Sequence, residues 1–269
     1  MAHRKEDSRA QDRAVRTYDI LCLRDSQKTA LRDPVAVEVR VGIVLNGEEV
    51  AGLLCSPRDE KYLAAGFLRS EGLLSSADEI ESIRKHPDRV LVRTRKKKAA
   101  PKGVRLLTSG CGAGITFDRR PEEVDPVEDL IFDFMTVFSR ARIAGLMKEF
   151  LSGAETFKAT GGTHIAALSD GARILFTCED IGRHNAVDKV LGRCFLERID
   201  THDKLVLCSG RMSSEIVRKA HRCGIPVVVS RSAPTSLAID TARRCGVTLV
   251  GFARGERMNV YSFPARIAA

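Results

Sequence analysis

The 269-residue chain has no tryptophan, and aromatic residues make up only 5% of it. Lys and Arg outnumber Asp and Glu by 44 to 35, giving a formal charge of +9, but few rings accompany them on which unpaired bases could stack. This argues against a nucleic-acid-binding module, which interleaves cations with aromatic platforms. No apolar run is long enough for a membrane span, and the chain begins without the pattern of a signal peptide. Cys-x-x-Cys pairs, His-Glu-x-x-His and the H-x-E with P-C-x-x-C of zinc deaminases are all missing, so no zinc site is expected. The Walker A and dinucleotide glycine fingerprints are missing as well.

Eight cysteines (22, 55, 111, 178, 194, 208, 223 and 245) are spread singly through a long chain rather than grouped as a disulfide framework, which points to a reducing cytoplasm. One stands apart. In "TSGCGAGITF", Cys111 lies among Gly110, Gly112 and Gly114, where bare amides and the nearby Arg105, Arg119 and Arg120 can stabilise a thiolate or persulfide anion. Cys22, Cys55, Cys178, Cys194 and Cys208 lie in apolar company that raises a thiol's pKa, and Cys223 and Cys245 sit at expected helix C-termini. The excess of positive charge and a pI near 9.3 favour an anionic partner. The run "RTRKKKAAPK" (93–102) reads first as a solvated loop, and alternatively as an electrostatic guide towards Cys111.

Residues 1–16 are charged and poor in large apolar side chains, as in a disordered tail. Alternation from Val35 to Cys55 around Asn46-Gly47 predicts a hairpin. A helix should follow, capped by Ser56 with Pro57 in its first turn, ended by Gly72, and packed on the hairpin through Leu63 and Phe67. "PEEVDPVED" (121–129) reads as a linker, followed by a helix from Leu130 to Gly153. Beyond it, strands are expected at 164–168, 173–178, 204–208, 226–230 and 247–252, with helices at 184–197, 212–222 and 235–244. The fold class is therefore α/β, with a largely parallel C-terminal half.

Ligands of parallel sheets gather beyond the carboxyl ends of the strands. Three such ends, "SGRMSSE", "SRSAPTS" and "FARGER", are rich in Ser, Gly and Arg, the residues that hold phosphate. "EDIGRHNAVDK" (179–189) is equally consistent with a capped helix start and with a ligand pole carrying Arg183 and His184. "TGGTH" offers a tight turn and a histidine, His164, that fits either a structural or a functional role. A cysteine protease pairing Cys111 with His164 or His184 has no supporting geometry in the sequence.

Together "NGEEVAGLLCSPRDEKYLAAGFLRSEGLL", "SGCGAG", "TGGTHIAAL", "EDIGRHNAVDKVLG" and the stretch from "SGRMSSEIV" to "GERMNVY" resemble the formate dehydrogenase accessory sulfurtransferase family, FdhD, over roughly residues 35–262. The resemblance implies a cytoplasmic sulfurtransferase with Cys111 as the persulfide-bearing residue. It implies that sulfur comes from a cysteine desulfurase. The recipient would be the molybdenum or tungsten bis(molybdopterin guanine dinucleotide) cofactor, bound as substrate before it enters formate dehydrogenase. It places the guanine dinucleotide at Phe252, Ala253, Arg254, Gly255, Glu256 and Arg257. It also implies a homodimer with a C-terminal domain (126–269) like cytidine deaminase but without zinc, and a smaller β-rich N-terminal portion (17–125) carrying the Cys111 loop. Many members have Cys-Gly-x-Cys in that loop, where this chain has Gly114 at the second position. A local relay between two thiols is thereby removed, but a single thiolate still accepts and donates sulfur. The competing expectation is a chaperone that delivers the cofactor without sulfur transfer.

Overall fold

The computed structural model describes residues 14–96 and 136–268, together with the backbone of 105–107 and 115–117. Cys111, the 121–129 linker and most of the basic run lie outside these residues. The chain enters in a two-stranded ribbon, β1 (Val15–Arg24) with β2 (Gln27–Ala36), so the stretch expected to be a tail through residue 16 is already a strand at Val15.

The predicted hairpin is present as β3 (Val39–Leu45) and β4 (Glu48–Cys55). Asn46 and Gly47 turn with φ of 53° and 94°, the two positive values that a tight hairpin between twisted strands needs. β5 (Ile80–Lys85) and β6 (Arg89–Thr94) complete a sheet ordered β4-β3-β6-β5. Helix α1 (Glu60–Ser70) covers this sheet, with Leu63 and Phe67 buried on it as the periodicity requires. Its start differs from expectation. Asp59, not Ser56, precedes the first turn, because Ser56 is occupied elsewhere: its N–H donates to Asp180 (3.1 Å) and its hydroxyl accepts from Ile181 N (3.1 Å).

A short antiparallel pair, β7 (Arg105–Leu107) with β8 (Ile115–Phe117), flanks the segment that contains Cys111. Residues 138–139 form β9 (Phe138–Ser139), and α2 (Arg140–Ser152) begins only there, with the Ser139 hydroxyl accepting from Arg142 N. The helix expected from Leu130 is thus shorter, since residues 136–139 run extended up to this cap. After α3 (Glu155–Thr160) come β10 (His164–Ser169), β11 (Ile174–Asp180), α4 (Arg183–Glu197), β12 (Leu205–Cys208), α5 (Ser214–Arg222), β13 (Val227–Ser230), α6 (Ser236–Arg244), β14 (Thr248–Arg254) and β15 (Arg257–Val260). The main sheet runs β11-β10-β12-β13-β14-β15. Its middle strands β12, β13 and β14 are parallel, and its flanking strands are antiparallel, so the sheet is mixed. Val206, Val228 and Leu249 face a core formed with α4, α5 and α6, while Leu205, Leu207, Val227, Val229 and Val250 face one formed with α2. Burial on both faces explains why these strands read as unbroken apolar runs.

The two sheets are joined through α1 and α4, whose backbones touch. A Cβ on Gly66 would stand 1.8 Å from the Asp188 carbonyl oxygen, and one on Gly192 would stand 1.9 Å from that of Tyr62. Gly66→Ala is expected to push the helices apart and cost about 1–3 kcal/mol, the range for overpacking a tight contact. Urea unfolding beside Gly145→Ala, where a Cβ meets nothing within 4 Å, measures it. Equal stability of the two variants would contradict the contact.

Candidate functional site

Strand direction gathers the predicted motifs at one pole. β10 and β11 are antiparallel with His164 opposite Asp180, so "TGGTH" begins where "EDIGRH" follows. β12 is antiparallel to β10, and Ser209 N donates to the Ile165 carbonyl (3.0 Å), which places "SGRM" beside both. The parallel strands β13 and β14 end at the same side with Arg231-Ser232 and Phe252-Ala253-Arg254. A cavity of about 560 Å³ opens there, lined by Gly161, Gly162, Thr163, His164, Ser209, Arg231, Ser232 and Arg254, with Leu151, Phe157, Ile165 and Ile181 as its apolar part. Arg231 and Arg254 are exposed, and Arg254 Nε donates to the Arg231 carbonyl (3.0 Å), which ties the two loops together. Two forked cations suit phosphate or pyrophosphate chemically, whereas the Gly161 and Gly162 amides are engaged, donating to the Phe157 carbonyl (2.7 Å) and to Thr160 Oγ1 (3.1 Å).

The "FARGER" stretch divides in its roles. Phe252 sits half-buried at an irregularity in β14 with φ of 51°, and Ala253 is buried in the core. Gly255 and Glu256 form the hairpin turn between Arg254 and its paired residue Arg257. Glu256 is engaged by Arg140, whose Nη1 donates to its carbonyl (3.1 Å). Of the six residues, Arg254 alone lines the cavity. Among the serines, the Ser209 hydroxyl accepts from Ile165 N (3.1 Å) and lies 3.3 Å from His164 Nδ1, and buried Ser230 donates to the Gly210 carbonyl (2.7 Å). They shape the loops that present the arginines. Leu151, near the end of α2, read from the sequence as a core residue, and Phe157 was not singled out because it carries no motif and α3 is too short to show periodicity.

"EDIGRHNAVDK" starts a helix and ties the two sheets together. Asp180 and Lys189, both wholly buried, pair at 2.6 Å. Asp180 also accepts from Gly182 N, Asn185 Nδ2 and Ser56 N, and Asn185 donates to the Leu54 carbonyl (2.8 Å). Burial works to lower the Lys189 ammonium, but the Asp180 carboxylate outweighs it and holds the pKa above that of an ordinary lysine. One turn further, Asp188 meets Lys219 (2.9 Å) and Ser70 Oγ (2.9 Å), again between the two sheets. These residues fasten the molecule together, and Arg183 and His184 are not among the residues that line the cavity.

His184 holds a proton less readily than a free imidazole. Burial, reinforced by Lys219, Arg183 and His164, pushes its pKa down to about 3. It is a neutral ring at pH 7, with Nε2 3.0 Å from Ser213 Oγ and 3.2 Å from Glu215. His164 is lowered by burial and then by Arg183. Because the unfolded chain takes up a proton near pH 6.5 and folded His184 does not, stability falls as pH drops below about 6.5 and levels off near 3. Between pH 7 and pH 5 the wild type should lose about 2 kcal/mol more than His184→Gln in urea unfolding. Equal losses would contradict a neutral buried ring.

Six of the seven described thiols have their pKa raised by burial. Burial raises Cys55, Cys178, Cys194 and Cys223 to about 12 and Cys208 to about 11, and it raises Cys245 as well. Cys22 is half-buried on β1. Among the described residues no three His, Cys, Asp or Glu side chains are grouped to hold a metal, and no helix is long and apolar enough to cross a membrane.

Comparison with known proteins agrees with this architecture. The FdhD/NarQ family profile matches residues 36–268. The chain is 39% identical over 264 residues to the "Sulfur carrier protein FdhD" of Wolinella succinogenes, covering 95% of this chain and 90% of that protein. It is 35% identical to the protein of the same name from Bacillus subtilis, covering 95% and 98%. A crystal structure from Desulfotalea psychrophila, described as that of a formate dehydrogenase accessory protein, superposes with a TM-score of 0.79 at 30% identity, covering 95% of this chain and all of that one. With the profile spanning both sheets and relatives matched almost end to end, this chain belongs to the FdhD/NarQ family.

Proposed function

We propose that the protein is a sulfur carrier for formate dehydrogenase maturation, a sulfurtransferase that works through a persulfide on Cys111. The observation that carries this reading is the contrast among its thiols: six of the described cysteines are driven out of the reactive range by burial, while Cys111 lies in a glycine-flanked segment between β7 and β8. The names of its relatives support sulfur carriage as the activity.

In the first step the Cys111 thiolate attacks the terminal sulfur of a cysteine desulfurase persulfide. The S–S bond of the donor breaks, its cysteine leaves as thiolate, and Cys111 holds the sulfur with no net oxidation. The recipient, and so the second substrate, is the molybdenum or tungsten bis(molybdopterin guanine dinucleotide) cofactor. Arg231 and Arg254 on the cavity are suited to its pyrophosphate. Free thiols at all seven described cysteines fit a reducing cytoplasm. A homodimer would cover the β1–β2 ribbon, where Tyr18, Ile20, Leu21, Leu23, Leu31 and Val35 are exposed.

The test is maturation. In a strain lacking its own accessory protein, expression of this chain should restore formate dehydrogenase activity. Failure to restore it with a compatible desulfurase and formate dehydrogenase supplied would count against the reading.

A further inference from the structure

A second cavity, of about 380 Å³, lies at the far ends of α4 and β12 from the one that Arg231 and Arg254 line. The α1–β5 connection walls it on one side with Ser75, Ser76 and Asp78, and the end of α4 with the loop to His202 walls it on the other. Leu191, Phe195 and Ile199 make its apolar part, and its volume falls in the range of small-molecule sites. Its arginines, Arg69, Arg198 and Arg222, face two carboxylates, Asp78 and Asp200, and both are engaged: Asp200 by His202 Nδ1 (2.8 Å) and Asp78 by Arg198. Arg69 meets no carboxylate among the described residues. Its guanidinium lies over the Phe195 ring (5.9 Å to the centroid), and Nη1 donates to the Leu74 carbonyl (3.3 Å). One carbonyl takes one of five N–H donors, so a half-buried cation stands beside an apolar wall without a countercharge. Its charge reaches the Cys223 thiol, another lining residue, where it opposes the rise that burial causes. Arg198 is strained: it ends α4 at φ 55° and ψ 39°, the left-handed conformation that glycine usually supplies there. Its pair with Asp78 does not explain an arginine at this position, because the side chains are 70% and 74% exposed and such pairs contribute little. An anion in the cavity accounts for both, as the countercharge of Arg69 and the partner of Arg198.

We propose that this cavity binds a small organic anion, a carboxylate on an apolar body, with Arg69 and Arg198 holding the carboxylate and Leu191, Phe195 and Ile199 receiving the body. The site is separate from the strand-end cavity and does not depend on the sulfur chemistry proposed above. Because its walls come from α1 and its following loop as well as from α4, an occupant also fastens the N-terminal sheet to the main one.

Proton–nitrogen correlation NMR of the full chain tests this with three probes: phenylpropionate, its neutral analogue phenylpropionamide, and acetate. Phenylpropionate should shift the backbone N–H signals of Ser75, Ser76, Thr201 and Gly224 saturably. Phenylpropionamide, which lacks the charge, and acetate, which lacks the apolar body, should each bind about 10-fold more weakly or worse. Arg69→Gln should weaken phenylpropionate by about 10-fold or more. Arg198→Gly, which suits the left-handed conformation and so guards against a folding defect, should weaken it by about 5-fold or more. No saturable shift at these signals, shifts confined to the pole lined by Ser209 and Ser232, the neutral probe binding as tightly as the anion, or wild-type affinity in either variant would overturn the proposal.

Discussion

Cys111→Ala is expected to reduce formate dehydrogenase maturation to the background of a strain with no accessory protein, whereas Cys194→Ala and Cys223→Ala should retain most of it. Thiol exchange proceeds through thiolate. A thiol held at about 12, as Cys194 and Cys223 are, is ionised in about one molecule in 10⁵ at pH 7, so neither can substitute for the loop cysteine. The substitution of Gly114 for a second loop cysteine sharpens the effect, because no neighbouring thiol remains to carry sulfur when Cys111 is removed. Formate dehydrogenase activity in the complemented strain, normalised to accessory-protein level, measures it. Substantial activity in Cys111→Ala would contradict persulfide carriage and favour a chaperone that delivers the cofactor intact.

The second large effect is structural. Lys189→Met should destabilise the protein by about 3–5 kcal/mol, because it strands the Asp180 carboxylate without its countercharge at a site where both side chains are wholly buried. Arg193→Ala, which breaks a partly exposed pair with Glu197 on the same helix and the guanidinium's stacking on Phe176 (4.3 Å), should cost about 1–2 kcal/mol. The difference reaches the functional pole, since Asp180 also orders Gly182 and Asn185 on either side of Arg183 and His184. Denaturant unfolding of both variants checks it. A Lys189→Met loss no larger than that of Arg193→Ala would mean the buried pair is not a fastening point.

The sequence was most legible where local chemistry and tertiary structure agree. Asn46-Gly47 has the positive φ values its residue types favour, and the apolar runs at β12, β13 and β14 read as doubly covered strands because they are. The strand ends rich in Arg, Ser and Gly do meet at one pole, and Arg254 does line the cavity. Legibility failed where a distant partner claimed a local signal. Ser56 looks like a cap, yet its groups serve Asp180 and Ile181, more than 120 residues away. The helix expected from Leu130 begins only at Arg140, because Phe138–Ser139 is a strand and the Ser139 hydroxyl caps the helix by accepting from Arg142 N. The β1–β2 ribbon escaped notice because both its faces are largely exposed, so no inside-outside alternation marks it. Asp188 and Lys189, which a capped helix start would leave on its exposed side, are buried instead, because Asp188 meets Lys219 and Ser70 and Lys189 meets Asp180.

The most direct test of sulfur carriage is mass spectrometry of the purified protein after incubation with a cysteine desulfurase and cysteine, wild type beside Cys111→Ala. The account predicts one added sulfur atom on the peptide containing Cys111, lost from the variant. An unmodified Cys111 peptide, or sulfur on another cysteine instead, would contradict it.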